Sequence, residues 1–575
     1  MSASRVLLTS VCKPIGPSVG DAESVGYELL HGQVTRAQHI YSPRVVHVQY
    51  ALDYIAENLD TPTMVLHYPS KRTFIHEVRK DYDVIGIGFA LSTVHHAIAM
   101  CQLIREHAPS ARIVLGGYGT VMSDEELLPH CDVICREEGV GFMRNYLGEP
   151  PLALTDHHHP DIRSRLKLFG LPVGHTAMVF AGLGCPNGCD FCCTSHFFKR
   201  RHIRLLPSGE AVFEVMDRFS RDHPGVAYTI LDEDFLLNKK RARAFLECCR
   251  QQRTTFSTFC FASVKALSQY TVEELHEMGI DGVWIGYEGK QSGYAKHDGD
   301  DIDQLIRNLQ DNGITVLTSM ILGIPYQTDA ITEVEFQALM ASRPALCQFL
   351  IYGPTPGTPF YEQVMADDLL HEDLASDRMA YYRRCTGFSA MVKHPFLRRD
   401  EIEALQRDLY RRDFEMLGPS VLRVGEVKLS GWLKLKSHPN PHLRQKAKDL
   451  RLKAAAALAL LPIAIIGPRI SFGNRLRYGR QLLRVFRHVS WLQKTFVLGA
   501  PLLALFAALT WVKIALGIEG HPMTRVHVYP GRQRDEPSVK KRKIFRDNTV
   551  WRYRGNGREL GRAPDREGAT SEAQL

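Results

Sequence analysis

Three cysteines are the most chemically informative residues of this sequence. Cys185, Cys189 and Cys192 are separated by three and then two residues, on a segment whose glycines and proline disfavour a continuous helix. Three thiolates at this spacing can bind one face of a cubic iron–sulfur cluster and leave one iron open to a further ligand. The alternative is a structural zinc loop with Cys193 or His196 as fourth ligand. Zinc motifs usually come as two such halves, and we find no second half, which favours the cluster.

The cysteine motif follows the first of six apolar runs that alternate with helical patterns between about Leu171 and Tyr352. This alternation predicts an α/β fold with a parallel sheet, and six strand–helix units predict a partial (β/α)6 TIM barrel. In such barrels the reactive groups lie at the carboxyl ends of the strands. The predicted strands are Met178–Ala181, Val226–Leu231, Phe256–Ala262, Gly282–Tyr287, Ile314–Leu322 and Cys347–Tyr352.

The motif and its placement carry a resemblance to a known family. CxxxCxxC, with aromatic Phe191 before the last cysteine and a strand before the motif, resembles the radical S-adenosylmethionine superfamily over about Leu171 to Tyr361. The resemblance implies a 4Fe-4S cluster, held by the three cysteines, whose open iron binds S-adenosylmethionine. One electron from the cluster then releases a 5′-deoxyadenosyl radical that removes hydrogen atoms from unactivated carbons.

The same resemblance implies that residues at later strand ends face the cofactor. A helix cap or a solvated loop end remains the alternative for each carboxylate taken alone, and their shared position at strand ends favours the site. The implied cofactor-binding residues are Phe191, Asp232, Glu233, Asp234, Gly286 and Glu288.

The amino-terminal part also alternates short apolar runs with helices, which predicts a doubly wound, Rossmann-like domain. It resembles the cobalamin-binding domains that precede the barrel in one radical subfamily. No DxHxxG motif is present, so no histidine is implied as a lower cobalt ligand; a domain that keeps this fold but binds no corrin is the alternative. The implied cobalamin-binding residues are Ser92, Thr93, Gly116, Gly117, Glu138 and Gly139.

Composition changes along the chain predict six segments. We interpret the histidines at 95, 96 and 157–159 as surface and linker residues, and Cys248 and Cys249, within a helical pattern, as structural. The segments are a cobalamin-binding-like domain (1–150), a linker (151–170), the radical domain (171–361), a helical extension (362–450), apolar and basic helices (451–520) and a basic, partly disordered tail (521–575).

The charge of the chain is unevenly distributed. The formal net charge is +8, yet residues 420–515 alone carry 17 Lys and Arg against two acidic residues. This region also contains uncharged runs at 454–468 and 495–512, with Trp491 and Trp511 near their edges. Apolar runs flanked by arginine and tryptophan predict helices that lie on or dip into an anionic membrane face. Core helices of a third domain are the alternative, and nucleic-acid binding ranks below both.

These features predict an enzyme that methylates an unactivated carbon of a hydrophobic, lipid- or isoprenoid-type substrate with the help of cobalamin. The domain order resembles that of the hopanoid methylases. The apolar run near the amino terminus is too short for a signal peptide, so we expect a cytoplasmic protein on the inner face of the membrane, reduced by a flavodoxin or ferredoxin. Ring formation, carbon–carbon coupling or rearrangement without methyl transfer is the second interpretation. RNA modification and a non-catalytic cobalamin- or zinc-binding protein rank lower.

Overall fold

The computed structural model describes residues 5–12, 49–168, 171–466, 470–516, 524–532, 550–553 and 559–562. These residues form two β-sheets with helices packed on them, followed by a group of helices. The first sheet has eight strands, in the order Glu559–Arg562, Val550–Tyr553, Arg525–Tyr529, Thr63–His67, Val6–Ser10, Val84–Gly88, Arg112–Gly116 and Val133–Ile134. The second has seven, in the order Leu346–Ile351, Thr315–Leu322, Ile280–Glu288, Thr258–Phe261, Ala227–Leu231, Leu171–Phe180 and Arg163–Leu168. The protein is therefore an α/β protein whose sheets are mostly parallel, as the sequence predicts.

The first sheet contains five parallel strands from the amino-terminal part of the chain. Strand β1 reads VLLTS and is buried throughout, because helices cover both faces of a parallel sheet. The strands are β1 Val6–Ser10, β2 Thr63–His67, β3 Val84–Gly88, β4 Arg112–Gly116 and β5 Val133–Ile134. The helices are α1 Tyr50–Glu57, α2 Lys71–Val78, α3 Val94–His107, α4 Asp124–Leu127 and α5 Gly139–Tyr146.

In the second sheet, β7 to β12 are parallel and adjacent in chain order. Three of its helices begin at Ser208, Asp301 and Thr328, whose side chains accept a backbone N–H three residues on. The strands are β6 Arg163–Leu168, β7 Leu171–Phe180, β8 Ala227–Leu231, β9 Thr258–Phe261, β10 Ile280–Glu288, β11 Thr315–Leu322 and β12 Leu346–Ile351. The helices are α6 Cys193–Phe197, α7 Gly209–Asp222, α8 Lys239–Gln251, α9 Val264–Leu267, α10 Val272–Glu277, α11 Ile302–Asp311 and α12 Asp329–Ser342.

The segment predicted as a linker, 151–170, differs from that expectation. Strand β6 lies in it and pairs antiparallel with β7. His159 is buried rather than on the surface: its Nε2 accepts the Phe180 N–H at 2.8 Å, and its Nδ1 lies 2.9 Å from the carbonyl oxygen of Pro160. The histidine-rich stretch therefore packs against β7, because the polar ring satisfies two buried backbone groups.

Helices dominate the chain after the second sheet. Part of the first apolar run lies in a core formed with α17 and α18, where Ala454, Leu458 and Leu461 are buried, so the core-helix alternative is correct for these residues. The helices are α13 Pro359–Ala366, α14 Glu372–Ala375, α15 Arg378–Arg384, α16 Arg399–Leu417, α17 Ser420–Leu435, α18 Pro441–Ala456, α19 Leu461–Ile466, α20 Phe472–His488, α21 Trp491–Lys494 and α22 Ala500–Ala515.

A strand from the predicted tail completes the first sheet. Strand β13, Arg525–Tyr529, pairs antiparallel with β2, and β14 Val550–Tyr553 and β15 Glu559–Arg562 follow at the edge. Sequence composition predicts partial disorder over 521–575, whereas these parts are strands; the remainder of the tail lies outside the described residues. Among the described helices, none combines the length and apolar character needed to cross a membrane.

Asp53, on α1, connects this helix to β2 and β13 through hydrogen bonds. Its buried carboxylate accepts hydrogen bonds from His67 Nε2 at 2.9 Å, His527 Nδ1 at 2.7 Å and the Tyr529 hydroxyl at 2.8 Å. The three Asp and His ligand atoms lie within 4.8 Å of one another, close enough for one metal ion. However, Nδ1 of His67 accepts the Gln49 N–H at 3.3 Å, which places the ring proton on Nε2, facing Asp53. The arrangement of Asp53, His67 and His527 therefore fits a set of structural hydrogen bonds better than a metal site.

Candidate functional site

The loop with the three cysteines follows directly on β7 and is held by its own backbone contacts. The Ser195 hydroxyl donates to the Cys185 carbonyl oxygen at 2.7 Å and accepts the Gly188 N–H at 3.0 Å. Gly188 has a φ of 71°, a left-handed conformation that favours glycine at this turn. His196, the alternative zinc ligand, instead places Nε2 3.0 Å from the Cys189 carbonyl oxygen.

The three thiols are partly buried in an environment that disfavours thiolates without a cation. Burial raises the pKa of Cys185 to about 12 and that of Cys189 to about 11, and burial also raises the pKa of Cys192. A metal centre stabilises thiolates by its positive charge and displaces their protons. Three thiols on one glycine-rich loop, with the backbone of the loop already satisfied, therefore fit the donor set of an iron–sulfur cluster.

A buried ion pair lies at the end of β10, near the cysteine loop. The Lys296 ammonium contacts the Glu288 carboxylate, and both side chains are largely buried. A Cβ on Gly286 would lie 2.2 Å from Glu288 Oε1 and 2.6 Å from Lys296 Nζ, so only glycine leaves room for the pair. Glu288 has a φ of 54°, an uncommon conformation that tends to mark functional sites. Of these three residues, sequence analysis identified Gly286 and Glu288 but not Lys296.

Phe191 and its neighbour Asp190 connect the cysteine loop to distant strands. The Phe191 ring lies edge-on to Tyr294, at 5.4 Å between centroids, and to Tyr352, at 5.8 Å. The same two tyrosines donate hydrogen bonds to Asp190, Tyr294 at 2.7 Å and Tyr352 at 3.0 Å. Lys296 Nζ lies 5.7 Å from the Phe191 ring centroid. The loop is thus held against the ends of β10 and β12, which brings Lys296 to the cysteine side.

The acidic stretch after β8 divides into different roles. The Asp232 carboxylate is buried and pairs with Arg241, and His202 Nε2 lies 3.2 Å from it. Burial alone raises the pKa of Asp232, but the His202 hydrogen bond and the Arg241 charge bring it below its usual range. Asp234 accepts the Ser263 N–H at 3.2 Å. A cavity of about 200 Å³ beside the cysteine loop is lined by Gly184, Pro186, His202, Asp232, Asp234, Leu237 and Asn238.

Glu233 differs from its two neighbours. Burial, with a smaller contribution from the negative charge of Asp232, raises the pKa of Glu233 to about 7. Its charge also raises the pKa values of Cys185 and Cys192, which places it on the cysteine side of the strand end. Asp234 also raises the pKa of Cys185 and lines the cavity beside the cysteine loop, so Glu233 and Asp234 both lie on the cysteine side, whereas Asp232 is paired with Arg241 and His202.

The predicted cobalamin residues lie at the carboxyl edge of the first sheet. Gly88 and Gly116 pair in register as the last residues of β3 and β4. Gly117 has a φ of 91°, and a Cβ there would lie 2.7 Å from the Phe89 carbonyl oxygen, so the turn requires glycine. A Cβ built on Gly116 would lie 3.8 Å from Cys135 Cβ, an ordinary van der Waals contact, so this position would tolerate a Cβ.

The other predicted cobalamin residues have structural partners. Glu138 caps α5 by accepting the N–H groups of Val140 and Gly141, each at 2.8 Å. The Thr93 hydroxyl donates to the Ala90 carbonyl oxygen at 2.9 Å. Ser92 is buried, and a Cβ on Gly139 would lie 2.5 Å from Ile55 Cδ1. These groups shape the edge of the sheet, where Gly116 is half-buried and Gly117 is exposed.

Tyr118, directly after Gly117, connects this edge to the cysteine loop. Its ring is edge-on to Phe197 at 5.2 Å between centroids, at the end of α6, the helix that begins one residue after Cys192. Burial and, to a smaller extent, the charge of Glu233 raise the pKa of the Tyr118 hydroxyl well above its usual range. Sequence analysis missed Tyr118, although its position beside a predicted site glycine offered a signal. Lys296 offered none, since it belongs to no motif.

Comparisons with known proteins agree with the cysteine chemistry. The Radical SAM superfamily model matches residues 179–336, which include the cysteine loop and Lys296. An uncharacterized methyltransferase of Pyrococcus horikoshii is 24% identical over 373 residues, 57% of this chain and 78% of the relative. The hopanoid C-2 methylase of Rhodopseudomonas palustris is 24% identical over 245 residues, 40% of this chain and 46% of the relative. The bacteriochlorophyllide d C-12(1)-methyltransferase of Chlorobaculum tepidum is 21% identical over 317 residues, 51% and 68% respectively.

A solved structure is similar to part of the chain as well. The radical S-adenosylmethionine methyltransferase TsrM from Kitasatospora setae has a TM-score of 0.48 at 15% identity, covering 64% of this chain and 76% of that chain. The match of the superfamily to residues 179–336 coincides with the strand-borne cysteine loop and its buried surroundings. The chain contains a domain of the Radical SAM superfamily over residues 179–336.

Proposed function

We propose that this enzyme uses S-adenosylmethionine and cobalamin to methylate an unactivated carbon of a hydrophobic substrate. The observation that carries the proposal is the contact between Tyr118, at the edge of the first sheet, and α6, which begins beside Cys192. A methyltransferase of this kind must hold two cofactors close together. The contact links the carboxyl edge of the first sheet, proposed to hold cobalamin, to the cysteine loop, proposed to hold the cluster. When bound, the cluster supplies the electron that cleaves S-adenosylmethionine, and cobalamin supplies the methyl group.

Lys296 and Glu288 would orient S-adenosylmethionine. The amino-acid end of this molecule carries one ammonium and one carboxylate, and the buried pair offers the complementary charges side by side. Glu288 would accept from the ammonium, and Lys296 would donate to the carboxylate. Each charge is then matched without water, which makes such contacts stronger than they are in solution.

Gly116, Gly117 and the neighbouring Tyr118 would lie against the corrin. An open glycine backbone at the end of parallel strands allows a flat ligand to approach closely. We also propose that β7–β12 and their helices form the partial barrel, and that β1–β5 with their helices form the Rossmann-like domain. A reduced flavodoxin or ferredoxin would deliver the electron.

Two relatives whose names state hopanoid and bacteriochlorophyllide substrates, both large and apolar, support the proposed substrate class. A hydrophobic substrate suits radical chemistry at carbons without acidic protons, because the protein needs only to position it and exclude water. We place the enzyme on the cytoplasmic side of a membrane, where such substrates reside.

The test uses the full chain, purified anaerobically and supplied with cobalamin, a strong reductant and S-adenosylmethionine carrying a trideuterated methyl group. A total lipid extract of the cells in which the protein naturally occurs serves as substrate. We expect a lipid product in which one trideuteromethyl group replaces hydrogen, and no such product from the Cys189→Ala variant. A product that arises with deoxyadenosine but without label would contradict methylation and favour cyclisation, coupling or rearrangement.

A further inference from the structure

Helix α22 shows an apolar stripe on the side that faces solvent. Leu502, Leu505, Leu509, Val512 and Leu516 recur at intervals of three and four residues, and each is between 44% and 68% exposed. This spacing places them on one face of a helix. Lys513 is the only charged residue between Ala500 and Ala515, so α22 is apolar on most of its surface, and part of that apolar surface faces outward.

Helix α20 presents a second exposed stripe in which apolar and basic side chains alternate. Its buried face consists of Asn474, Tyr478, Gln481 and Val485. The opposite face carries Phe472, Leu476, Arg480, Leu483 and Arg487, at helical spacing and all exposed. Such a combination of aliphatic and guanidinium groups suits the boundary between lipid headgroups and acyl chains.

The charge of this region points in the same direction. Residues 450–518 contain no Asp or Glu, while they contain ten Lys and Arg. Among the described residues, Arg480, Arg484 and Arg487 form no ion pair with an acidic side chain. Trp491 and Leu492, on the short helix between the two stripes, are 79% and 69% exposed. Tryptophan is enriched at the interfacial level of membranes.

We propose that the exposed faces of α20, α21 and α22 together bind the surface of an anionic lipid bilayer. The outward stripe of α22 enters the acyl boundary, and the arginines of α20 contact lipid phosphates. This inference deepens the proposed function, on which it rests for the nature of the substrate: the surface holds the enzyme where a lipid substrate leaves the bilayer.

Sedimentation with vesicles tests the surface. We expect the full chain to bind vesicles of phosphatidylcholine with one part in three phosphatidylglycerol at least about tenfold more tightly than pure phosphatidylcholine. The variant Arg480→Gln/Arg484→Gln/Arg487→Gln should lose this preference. The variant Leu502→Ser/Leu505→Ser/Leu509→Ser should lose binding to both. Lys71→Gln/Arg72→Gln, an exposed basic pair on the first domain, should bind like the wild type.

Three results would overturn the docking surface. The first is a wild-type chain that stays in the supernatant with both kinds of vesicle. The second is binding that is unchanged in both triple variants. The third is a wild-type dimer in light scattering that the leucine variant converts to a monomer without any vesicle binding, because the face would then be an interface between copies.

The vesicle-binding test and the methylation test can fail independently of each other. Reductive formation of deoxyadenosine, measured without vesicles, should be normal in both triple variants, since none of these residues lies near the cysteine loop; this also shows that the variants fold. A chain that binds anionic vesicles but never yields a methylated lipid would contradict the methylation proposal alone. A methylated product from a chain that never binds vesicles would contradict the docking surface alone.

Discussion

Lys296 and Glu288 form a buried ion pair in the space left by Gly286, and the ammonium of Lys296 also lies 5.7 Å from the ring centroid of Phe191, within the cysteine motif. Burial lowers the pKa of Lys296, but the charges of Glu288 and of the nearby cysteines outweigh burial and raise it above its usual range. The lysine therefore stays charged at neutral pH, at the point where the cluster loop meets the end of β10.

Replacing Lys296 should weaken the binding of S-adenosylmethionine. In Lys296→Met the Glu288 carboxylate remains buried without a partner and the cofactor carboxylate loses its donor, so we expect the dissociation constant to rise at least about tenfold. Lys296→Arg should recover part of the affinity. Equilibrium binding to the reconstituted protein measures both. Lys290→Met, which removes a more exposed pair with Asp303, is the control. Unchanged affinity in a folded Lys296→Met protein would exclude this role.

Asp232 should prove to be a stability residue rather than a cofactor ligand. Asp232→Asn leaves the buried guanidinium of Arg241 without its counter-charge, so we expect the free energy of unfolding to fall by about 3–5 kcal/mol. Denaturant unfolding of the apo-protein provides the measurement. Asp217→Asn, which removes a largely exposed pair with Arg221, should change it by less than about 1 kcal/mol. Equal stability of the two variants would contradict the assignment.

His159 should make stability depend on pH in a defined direction. Burial lowers the pKa of His159 to about 3 from the ordinary value of 6.5. Between these values the unfolded chain binds a proton that the folded chain does not, so stability is lost as pH falls below about 6.5. The slope from this residue is about 1.4 kcal/mol per pH unit.

The test compares unfolding free energies at pH 5 and pH 7. His159→Gln, whose amide oxygen can still accept the Phe180 N–H, should show a flatter dependence than the wild type. His130→Gln, at a partly exposed site on the first domain, should retain the wild-type slope. The same slope in all three proteins would mean that His159 does not titrate with folding.

Tyr118 should couple the two cofactor edges without touching the cluster. Tyr118→Ala removes the ring that packs on Phe197, so we expect methylated product per deoxyadenosine formed to fall by about tenfold. Iron content and deoxyadenosine formation should remain normal. Tyr118→Phe keeps the ring and should restore most of the coupling. The two products are measured in the same reaction by mass spectrometry. If Tyr118→Ala instead loses iron, the residue supports the cluster loop itself.

The elements of the second sheet were readable from the sequence because parallel strands are continuous apolar runs. The run predicted at Ile314–Leu322 is strand Thr315–Leu322, and Cys347–Tyr352 is Leu346–Ile351. Strand β6 was missed, since its sequence RSRLKL has little of this signature and its pairing depends on β7. Strand β13 was missed because it pairs with β2, which lies more than 450 residues away in sequence.

The site was predictable only as far as spacing carries chemistry. The spacing of the three cysteines predicts their role, and the position of Glu288 at a strand end predicts its place in the site. The sequence predicts that Asp232 faces the cofactor, and it does not show that Arg241, on the next helix, pairs with this carboxylate. Lys296 could not be predicted as a site residue, because its place beside Phe191 depends on packing between the loop after β10 and the cysteine loop.

The most direct measurement is iron content together with reductive cleavage of S-adenosylmethionine in anaerobic protein. The wild type should be brown, hold about four iron atoms per chain and form 5′-deoxyadenosine after reduction. Cys185→Ala/Cys189→Ala/Cys192→Ala should be colourless and inactive, whereas Cys248→Ala, on α8, should match the wild type. Deoxyadenosine formed at the wild-type rate by the triple variant, or a colourless wild type that retains zinc, would contradict the cluster.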